Sequence, residues 1–447
     1  MEAFSEEQRA NATKFFQSFL SQRSEEDSTL LTVARPCFTL EELEGECLHV
    51  ARRFLSARGC PGILSYHVSN HAVQKVATGN VDDLWKKEPV EGDEEEGREG
   101  ERVLSPTAVA TALLDAIEEV CRSWAEVLPQ LTQVPGSIEL SLHAIKNTRR
   151  KMEDRHAVCV DINSLFGLQD CPPQSYYAVF DGHVAVDAAD YASVHLLPNV
   201  VRHPDFHTDP ASALRGGILT TDQRFCKLNQ KAGSTAVVAL LRGSTLHVAW
   251  VGDSQAMLFR RGQGVELVNP HKPDRENITS YISESFSAIV QDERERIEEL
   301  GGMVIWLGAW RVNGSLSVSR AIGDARDKKF ITADADTNTV ELDGTEDFLV
   351  VACDGVWDVL NAEEMSEEVW KYFSSGGSKQ TFAKALVEAA RREGSGDNMT
   401  VIVFFFPTFQ LPTGPPSKTS ADETGDGNTD TTSQQMADAA EPGGGTN

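Results

Sequence analysis

The chain has 447 residues, enough for one large domain or for two to three domains of ordinary size. Hydrophobic residues make up 40% of it and charged residues 24%, the balance of a soluble globular protein that can bury a core. Because 68 acidic side chains outnumber 41 lysines and arginines, the formal net charge is −27, which disfavours binding to nucleic acid or to anionic membranes unless a local basic patch is present.

The N-terminus, MEAFSEEQRA, lacks the basic and then apolar pattern of a secretory signal peptide. No part of the chain approaches the roughly 20 consecutive apolar residues that a membrane span requires. Eight cysteines without regular spacing are typical of reduced thiols in the cytosol or nucleus. We therefore expect a cytoplasmic protein, with the nucleus as a second compartment, and no membrane partner.

Residues 1–135 are predicted to form a helical N-terminal region. Apolar residues recur at steps of three and four in the segments 4–23, 40–57 and 72–85. Ser105-Pro106 has the pattern of a helix start, and this helix should run to about Leu128. Residues 88–102 contain eight acids and two arginines, which predicts a disordered tract. This acidic tract is either a solvated linker, which is the usual case, or a binding site for protein partners. The N-terminal helices are a second candidate binding site for protein partners.

From residue 138 onwards, runs of β-branched and aromatic residues alternate with turn signals. The predicted strands are 176–180, 235–241, 245–251, 256–260, 348–353 and 400–406. The predicted helices are 187–197, 210–227, 292–300, 361–372 and 380–392. Short turns at 242–244 and 261–264 predict hairpins, and therefore antiparallel sheets with separate helices, an α+β class. The segment 408–447 is rich in Pro, Gly, Ser and Thr, which predicts a disordered tail.

Acidic residues stand at the ends of several predicted strands. Asp181, Asp253 and Asp354 follow three of them, and Asp397 precedes the last. Any one of these motifs alone is more often an ordinary turn. Carboxylates gathered at one edge of a fold would repel each other unless divalent cations neutralise them. Oxygen ligands with few histidines suit Mg²⁺ or Mn²⁺ better than Zn²⁺.

Around these acids the sequence resembles the metal-dependent protein serine/threonine phosphatases of type 2C. The matching segments are Arg149 with Met152–Asp154, Val179–His183, Gly233–Ala236, Gly252–Ser254, His271–Pro273, Glu298–Gly302, Ser317–Asp324, Ala352–Asp358 and Gly396–Thr400. The resemblance covers residues 138–407 and implies a catalytic domain built as an antiparallel β-sandwich of two sheets flanked by helices. The helical N-terminal region, the acidic tract and the segment HAIKNTRRKMEDRH are similar to one branch, the phosphatases of calcium/calmodulin-dependent protein kinases.

The resemblance implies a centre with two Mg²⁺ or Mn²⁺ ions and a weaker third ion. The implied metal-site residues are Asp181 as the bridge, Gly182 through its carbonyl oxygen, Asp354, Asp397, Glu153 and Asp154, with Asp253 and Asp358 at the third ion. Arg149 would bind the substrate phosphate, and His183 would protonate the leaving oxygen as general acid. The implied reaction is hydrolysis of phosphoserine and phosphothreonine by a hydroxide shared between the two ions. The implied substrates are phosphoproteins, above all calcium/calmodulin-dependent and related protein kinases.

The sequence departs from this family beside the predicted general acid. Where the family has two glycines, this chain has Val184-Ala185, which resist backbone angles that glycine adopts. Because the predicted metal ligands are all present, we expect a weakened enzyme more than an inactive one. The alternative is a pseudophosphatase that acts as an adaptor through its N-terminal helices. Residues 274–291 resemble an insertion. A nuclease on a similar centre is disfavoured by the net charge, and no nucleic-acid partner is expected.

Overall fold

The computed structural model describes residues 2–22, 31, 33, 35–86, 102–133, 139–275 and 293–409. The predicted acidic tract (88–102), insertion (274–291) and tail (408–447) lie almost entirely outside these residues, so the structure does not test them. Within the described ranges, no helix combines the length and the apolar character needed to cross a bilayer.

Strands make up most of the part after residue 138. In chain order they are β1 (Glu2–Ala3), β2 (Thr132–Gln133), β3 (Glu139–Ile145), β4 (Arg155–Cys159), β5 (Gln174–Phe180), β6 (Gly182–His183), β7 (Gly233–Ser234), β8 (Ala236–Arg242), β9 (Thr245–Val251), β10 (Gln255–Arg260), β11 (Gln263–Glu266), β12 (Val304–Trp306), β13 (Trp310–Val312), β14 (Ile322–Gly323), β15 (Asp336–Glu341), β16 (Glu346–Ala352) and β17 (Met399–Phe405).

Helices lie both before the strands and between them. In chain order they are α1 (Glu6–Ser21), α2 (Leu43–Ala57), α3 (Gly62–Thr78), α4 (Pro106–Glu126), α5 (Ile162–Phe166), α6 (Asp187–Val201), α7 (Pro210–Cys226), α8 (Glu293–Glu299), α9 (Asp354–Trp357), α10 (Ala362–Ser374) and α11 (Phe382–Arg392). Short 3-10 turns occur at Val81–Leu84, Pro204–His207 and Lys379–Thr381.

Two antiparallel sheets form a β-sandwich, and each has five strands among the residues that the structure describes. The first sheet has the order β11-β10-β16-β17-β3, and the second has the order β15-β9-β8-β5-β4. The hairpins predicted at 242–244 and 261–264 join β8 to β9 and β10 to β11. The α+β class and the two-sheet sandwich flanked by helices are therefore confirmed.

The central strands are buried on both faces. In β5, Tyr177 and Val179 face the other sheet, whereas Tyr176 and Phe180 face a core that α6 and α7 share with the N-terminal helices. The opposite sheet is covered by a separate core built with α10 and α11. Because side chains alternate between faces along a strand, such strands appear in the sequence as continuous apolar runs. The layers are therefore helix, sheet, sheet, helix.

The N-terminal helices pack against α6 through buried polar contacts as well as apolar ones. The Tyr191 hydroxyl of α6 donates to Glu42 Oε1 at 2.7 Å, and His195 Nε2 lies 3.1 Å from Glu46 Oε1. Both glutamates are buried. The boundary predicted at residues 135–138 stays a prediction, and the contacts show that the regions on its two sides share a core.

One predicted helix lies elsewhere. The helix predicted at 72–85 is α3, which begins ten residues earlier at Gly62 and ends at Thr78. Gly79 takes an extended conformation as the C-cap, and only a 3-10 turn follows it. The early start was hidden because the first half of α3 buries polar side chains, which interrupt the apolar period: Ser65, His67, Ser69 and Asn70.

Candidate metal centre

The antiparallel pairing brings the predicted acids to one edge of the sandwich. Asp354 follows β16 and Asp397 precedes β17, so the two acids lie side by side because these strands are antiparallel neighbours. In the other sheet, Asp181 follows β5, and Glu153 with Asp154 precede the neighbouring β4. Strand pairing thus brings together acids that lie far apart in the sequence.

A cleft of about 600 Å³ opens at this edge. Its lining includes most of the predicted site residues, namely Arg149, Glu153, Asp181, Gly182, His183, Asp253, Asp354 and Asp397. Asp154 lies beneath them, fully buried. Asp358 is exposed at the end of α9, outside the lining, where it accepts a hydrogen bond from Lys272 Nζ at 3.0 Å. A larger cleft of about 790 Å³ lies between the N-terminal helices and the edge strands β3 and β4, and its lining contains no acidic side chain.

Burial and mutual repulsion make these carboxyl groups hard to ionise without a cation. Burial, and then the neighbouring charge of Asp354, raise the pKa of Asp181 well above its ordinary value. The same two causes raise the pKa of Asp253. Burial raises the pKa of Asp154 to about 6, even though a hydrogen bond from Thr400 opposes the shift. Deprotonation of such a cluster requires compensating positive charge.

Two oxygens of the cluster show where that charge fits. Within the described residues, Asp154 Oδ1 and Asp354 Oδ1 are buried and have no hydrogen-bond partner. Side-chain atoms of Asp154, Asp181 and Cys353 lie within 4.8 Å of one another, but burial keeps the pKa of the Cys353 thiol far above its usual range. A protonated, buried thiol is a poor ligand, so the donor set is carboxylate oxygen, which suits Mg²⁺ or Mn²⁺.

Two of the Asp-Gly pairs, Asp181-Gly182 and Asp354-Gly355, have a steric reason for their glycine. A Cβ on Gly182 would lie 2.6 Å from the carbonyl oxygen of Glu153, and a Cβ on Gly355 would lie 2.0 Å from that of Asn398. These close approaches press the loop before β4 against the end of β5, and the start of α9 against the start of β17. Glycine therefore allows the acids to converge.

Arg149 lines the cleft, and its side chain is 61% exposed. It forms an ion pair with Asp397, a predicted metal ligand. The same guanidinium fork matches two phosphoryl oxygens, so a bound phosphate would compete with Asp397 for it.

His183 has a partner that the sequence analysis did not assign. Its Nε2 lies 2.7 Å from Asp324 Oδ2, and the Asp324 side chain is only 3% exposed. Asp324 ends the SVSRAIGD segment, and an acid that closes a family motif was the available signal. The buried carboxylate fixes the orientation of the imidazole beside the cleft.

Asn398 is a second residue whose role only the structure reveals. Its Oδ1 accepts from the backbone N–H of Glu153 at 2.8 Å. Its Nδ2 donates to the carbonyl oxygens of Lys146 and Lys151, at 2.9 and 3.0 Å. One buried amide thereby ties the whole loop that carries Arg149 and Glu153 to the start of β17.

The departure at Val184-Ala185 is visible in the backbone. Val184 has a φ of 69°, a left-handed conformation that a β-branched residue rarely adopts. Ala185 is not among the described residues with positive φ. The expectation that these side chains resist the local backbone therefore holds for Val184 and is wrong for Ala185.

Comparisons with known proteins give the family. The sequence model of protein phosphatase 2C matches residues 138–399, more than half of the chain. The chain is 45% identical over 372 residues to Protein phosphatase 1E of Homo sapiens, which covers 82% of this chain and 47% of the relative. It is 43% identical over 381 residues to Protein phosphatase 1F of Rattus norvegicus, with 82% of this chain and 80% of the relative covered. The chain thus spans about half the length of phosphatase 1E and four fifths of phosphatase 1F.

Solved structures share the fold. One titled "Structure of a C.elegans sex determining protein" has a TM-score of 0.64 at 24% identity and covers 89% of this chain and 94% of its own. The serine-threonine phosphatase 2C from Toxoplasma gondii has a TM-score of 0.51 at 22% identity and covers 62% of this chain and 98% of its own. The similarity to phosphatases 1E and 1F supports the predicted branch. The family model and these relatives together show that the chain belongs to the protein phosphatase 2C family.

Proposed function

We propose that this protein is a metal-dependent protein serine/threonine phosphatase. The observation that carries the proposal is the convergence of Asp181, Asp354 and Asp397 with Arg149 in one cleft. Family membership supports the same reaction. A cluster of buried acids beside the exposed side chain of Arg149 suits a dianionic phosphate held over hard cations.

The donor set fits two Mg²⁺ or Mn²⁺ ions. We propose that Asp181, Asp354, Asp397, Glu153 and the Gly182 carbonyl hold them, that Asp154 orients this group from below, and that Asp253 and Asp358 serve a weaker third ion. Such ions supply polarisation of water and of the phosphoryl oxygens. The orphaned oxygens of Asp154 and Asp354 support this assignment.

The remaining chemistry belongs to two side chains of the protein. Arg149 binds phosphoryl oxygens through its planar fork and so sets the orientation of the phosphate. His183 delivers a proton to the departing serine or threonine oxygen, and Asp324 keeps the imidazole ring in place for that step. Burial of Asp324 makes this contact rigid, which favours efficient proton delivery.

The pseudophosphatase alternative is not favoured, because the metal-site acids and Arg149 lie together as catalysis requires. We propose calcium/calmodulin-dependent and related protein kinases as substrates, on the similarity to phosphatases 1E and 1F. The N-terminal helices and the acidic tract are proposed partner-binding segments. We also propose a cytoplasmic or nuclear location, which the eight free cysteines support and which fractionation of cells would test.

The reaction can be tested with a phosphothreonine peptide and Mn²⁺. The wild-type chain should release phosphate with Mn²⁺ and stop when the metal is chelated. Asp181→Asn and Asp354→Asn should each lower the rate by more than about 100-fold, because even residues outside the metal's own ligands change activity about 10- to 100-fold. Asp82→Asn, on an exposed turn far along the chain from the site, is the matched control and should match the wild type. Metal-independent turnover, or full activity in both cleft variants, would rule the mechanism out.

The kinase preference needs a separate comparison. The Mn²⁺-loaded chain should dephosphorylate an autophosphorylated calcium/calmodulin-dependent kinase faster than phosphorylated casein at equal phosphate concentration. Equal rates would remove the proposed substrate while leaving the phosphatase reaction intact.

A further inference from the structure

The rim of the catalytic cleft carries cations in addition to Arg149. Arg150 and Lys151, from the loop between β3 and β4, line the cleft, and so does Arg311 from β13. We call these three residues the cationic rim. They stand out because the chain as a whole has a net charge of −27.

The cationic rim is available to a ligand. Arg150 and Lys151 are exposed, and no carboxylate of the described residues forms an ion pair with either of them. Arg149, in contrast, is engaged with Asp397. Arg311 donates from Nη1 to the carbonyl oxygen of Ser315 at 2.7 Å, which holds the guanidinium while its other N–H groups stay free of protein acceptors within the described residues.

The backbone that carries the cationic rim is anchored relative to the acids of the cleft. The Asn398 amide binds the carbonyl oxygen of Lys151 at 3.0 Å and lies next to Asp397 in the chain. Arg311 is held by its own short hairpin, in which Trp310 pairs with Trp306. The residues on either side of a bound phosphoresidue would therefore lie within reach of these three side chains.

The range of electrostatics decides which charges a substrate senses. At physiological salt the Debye length is about 8 Å, so charges beyond that distance are largely screened. Charges on remote surfaces therefore act weakly inside the cleft. With the acids of the cleft neutralised by the cations that the proposed function assigns to them, the cationic rim dominates for residues adjacent to the phosphorylated one. Apolar contacts do not distinguish an acidic residue from a neutral one beside the phosphorylated residue, so such a preference must come from charge.

We propose that the cationic rim selects phosphoserine and phosphothreonine sites that carry an anionic group within a few residues of the phosphate. The recognised group is a carboxylate or a second phosphate, since both accept hydrogen bonds from guanidinium and ammonium groups. This proposal rests on the proposed phosphatase function and names its substrate class. Exposed ion pairs change an equilibrium about two- to fivefold each, so three cations predict a preference of about tenfold.

The test compares phosphopeptides that differ only beside the phosphoserine. One carries glutamate there, one glutamine and one a second phosphoserine. With the Mn²⁺-loaded full chain, kcat/KM should be about tenfold higher for the glutamate peptide than for the glutamine peptide, and the second phosphate should act at least as strongly. The ratio should shrink as salt rises, because the contacts are exposed.

Variants assign the preference to the cationic rim. The ratio of kcat/KM for glutamate over glutamine peptides should fall towards one in Arg150→Gln/Lys151→Gln/Arg311→Gln. The control Arg122→Gln, which removes an exposed arginine of α4, should keep the wild-type ratio. A thermal melt of each variant confirms that it is folded.

The outcomes separate this proposal from the phosphatase assignment. If the chain hydrolyses p-nitrophenyl phosphate with Mn²⁺ but acts equally fast on the glutamate and glutamine peptides, selection by the cationic rim is refuted and the phosphatase assignment stands. A preference that persists in the triple variant would also refute selection by the cationic rim. If no phosphate ester is hydrolysed, fluorescence anisotropy of the two labelled phosphopeptides still decides the matter, because equal affinities contradict selection.

Discussion

Replacing Val184 by glycine should stabilise the protein. Val184 adopts a φ of 69° directly after His183. A residue with a Cβ costs about 1–2 kcal/mol in this left-handed region. Val184 is 65% exposed, so removal of its side chain loses little apolar burial. Glycine adds conformational freedom to the unfolded chain, which costs about 0.4–1 kcal/mol. The balance is a gain of about 0.5–1 kcal/mol in the free energy of unfolding.

Thermal unfolding measures this gain. For a large domain, 1 kcal/mol shifts Tm by about 2–4 °C, so Val184→Gly should raise Tm by about 1–4 °C. Ala185→Gly is the matched control, because Ala185 lacks a positive φ and should only lose stability. Val184→Asn should fall between wild type and glycine, since asparagine tolerates the left-handed region.

The same change bounds the effect of Val184 on catalysis. If all of the strain relief reached His183, about 1 kcal/mol would raise kcat/KM about fivefold at most. A Val184→Gly variant that melts at or below the wild-type Tm, together with an Ala185→Gly variant that melts above it, would refute the reasoning from backbone strain.

Three further predictions concern buried charges. Asp324→Asn should lower kcat/KM for a phosphopeptide by about 100-fold but affect p-nitrophenyl phosphate less than tenfold, because that leaving group needs no protonation; equal losses would show that Asp324 is only structural. Glu293→Gln should lower the free energy of unfolding by about 1–3 kcal/mol, because it removes the buried carboxylate 2.6 Å from Arg320 and leaves Asp336 as the ion-pair partner of that arginine. Glu298→Gln on the surface should change it by less than about 0.5 kcal/mol in the same urea titration. The pKa of Asp181 in the folded protein is raised above its unfolded value, so in metal-free protein its contribution to stability is present at low pH and is lost as pH rises through the folded pKa. Mn²⁺ should therefore raise Tm at pH 7. Asp181→Asn should raise the Tm of the metal-free protein and abolish the shift that Mn²⁺ causes.

The fold was predictable where one signal dominated. The strand 245–251 is β9 residue for residue, because an apolar run is bounded by turns on both sides. The edge strands β3 and β4 were not predicted. Arg155 and His156 in β4, and His143 in β3, interrupt the apolar alternation, since an edge strand tolerates polar residues that a central strand does not.

The cluster of acids in the cleft was predictable because its members stand at strand ends, and strand pairing brings such ends together. Contacts made by side chains across long stretches of chain carry no such pattern. Asp324 lies 141 residues from His183, and Asn398 lies 245 residues from Glu153, so neither contact could be inferred from spacing. The position of Asp358 outside the cleft also depends on its contact with Lys272, which local sequence does not reveal.

The docking of α2 on α6 limits how this protein can be divided. A fragment that starts at residue 138 would keep Tyr191 and His195 but lack Glu42 and Glu46. It would expose the apolar surface that the N-terminal helices cover, together with the Tyr191 hydroxyl and the His195 imidazole without their glutamate partners. Such a fragment would aggregate at the concentrations used in biochemical assays. Its rate of aggregation, more than its turnover number, would then determine the activity that is measured.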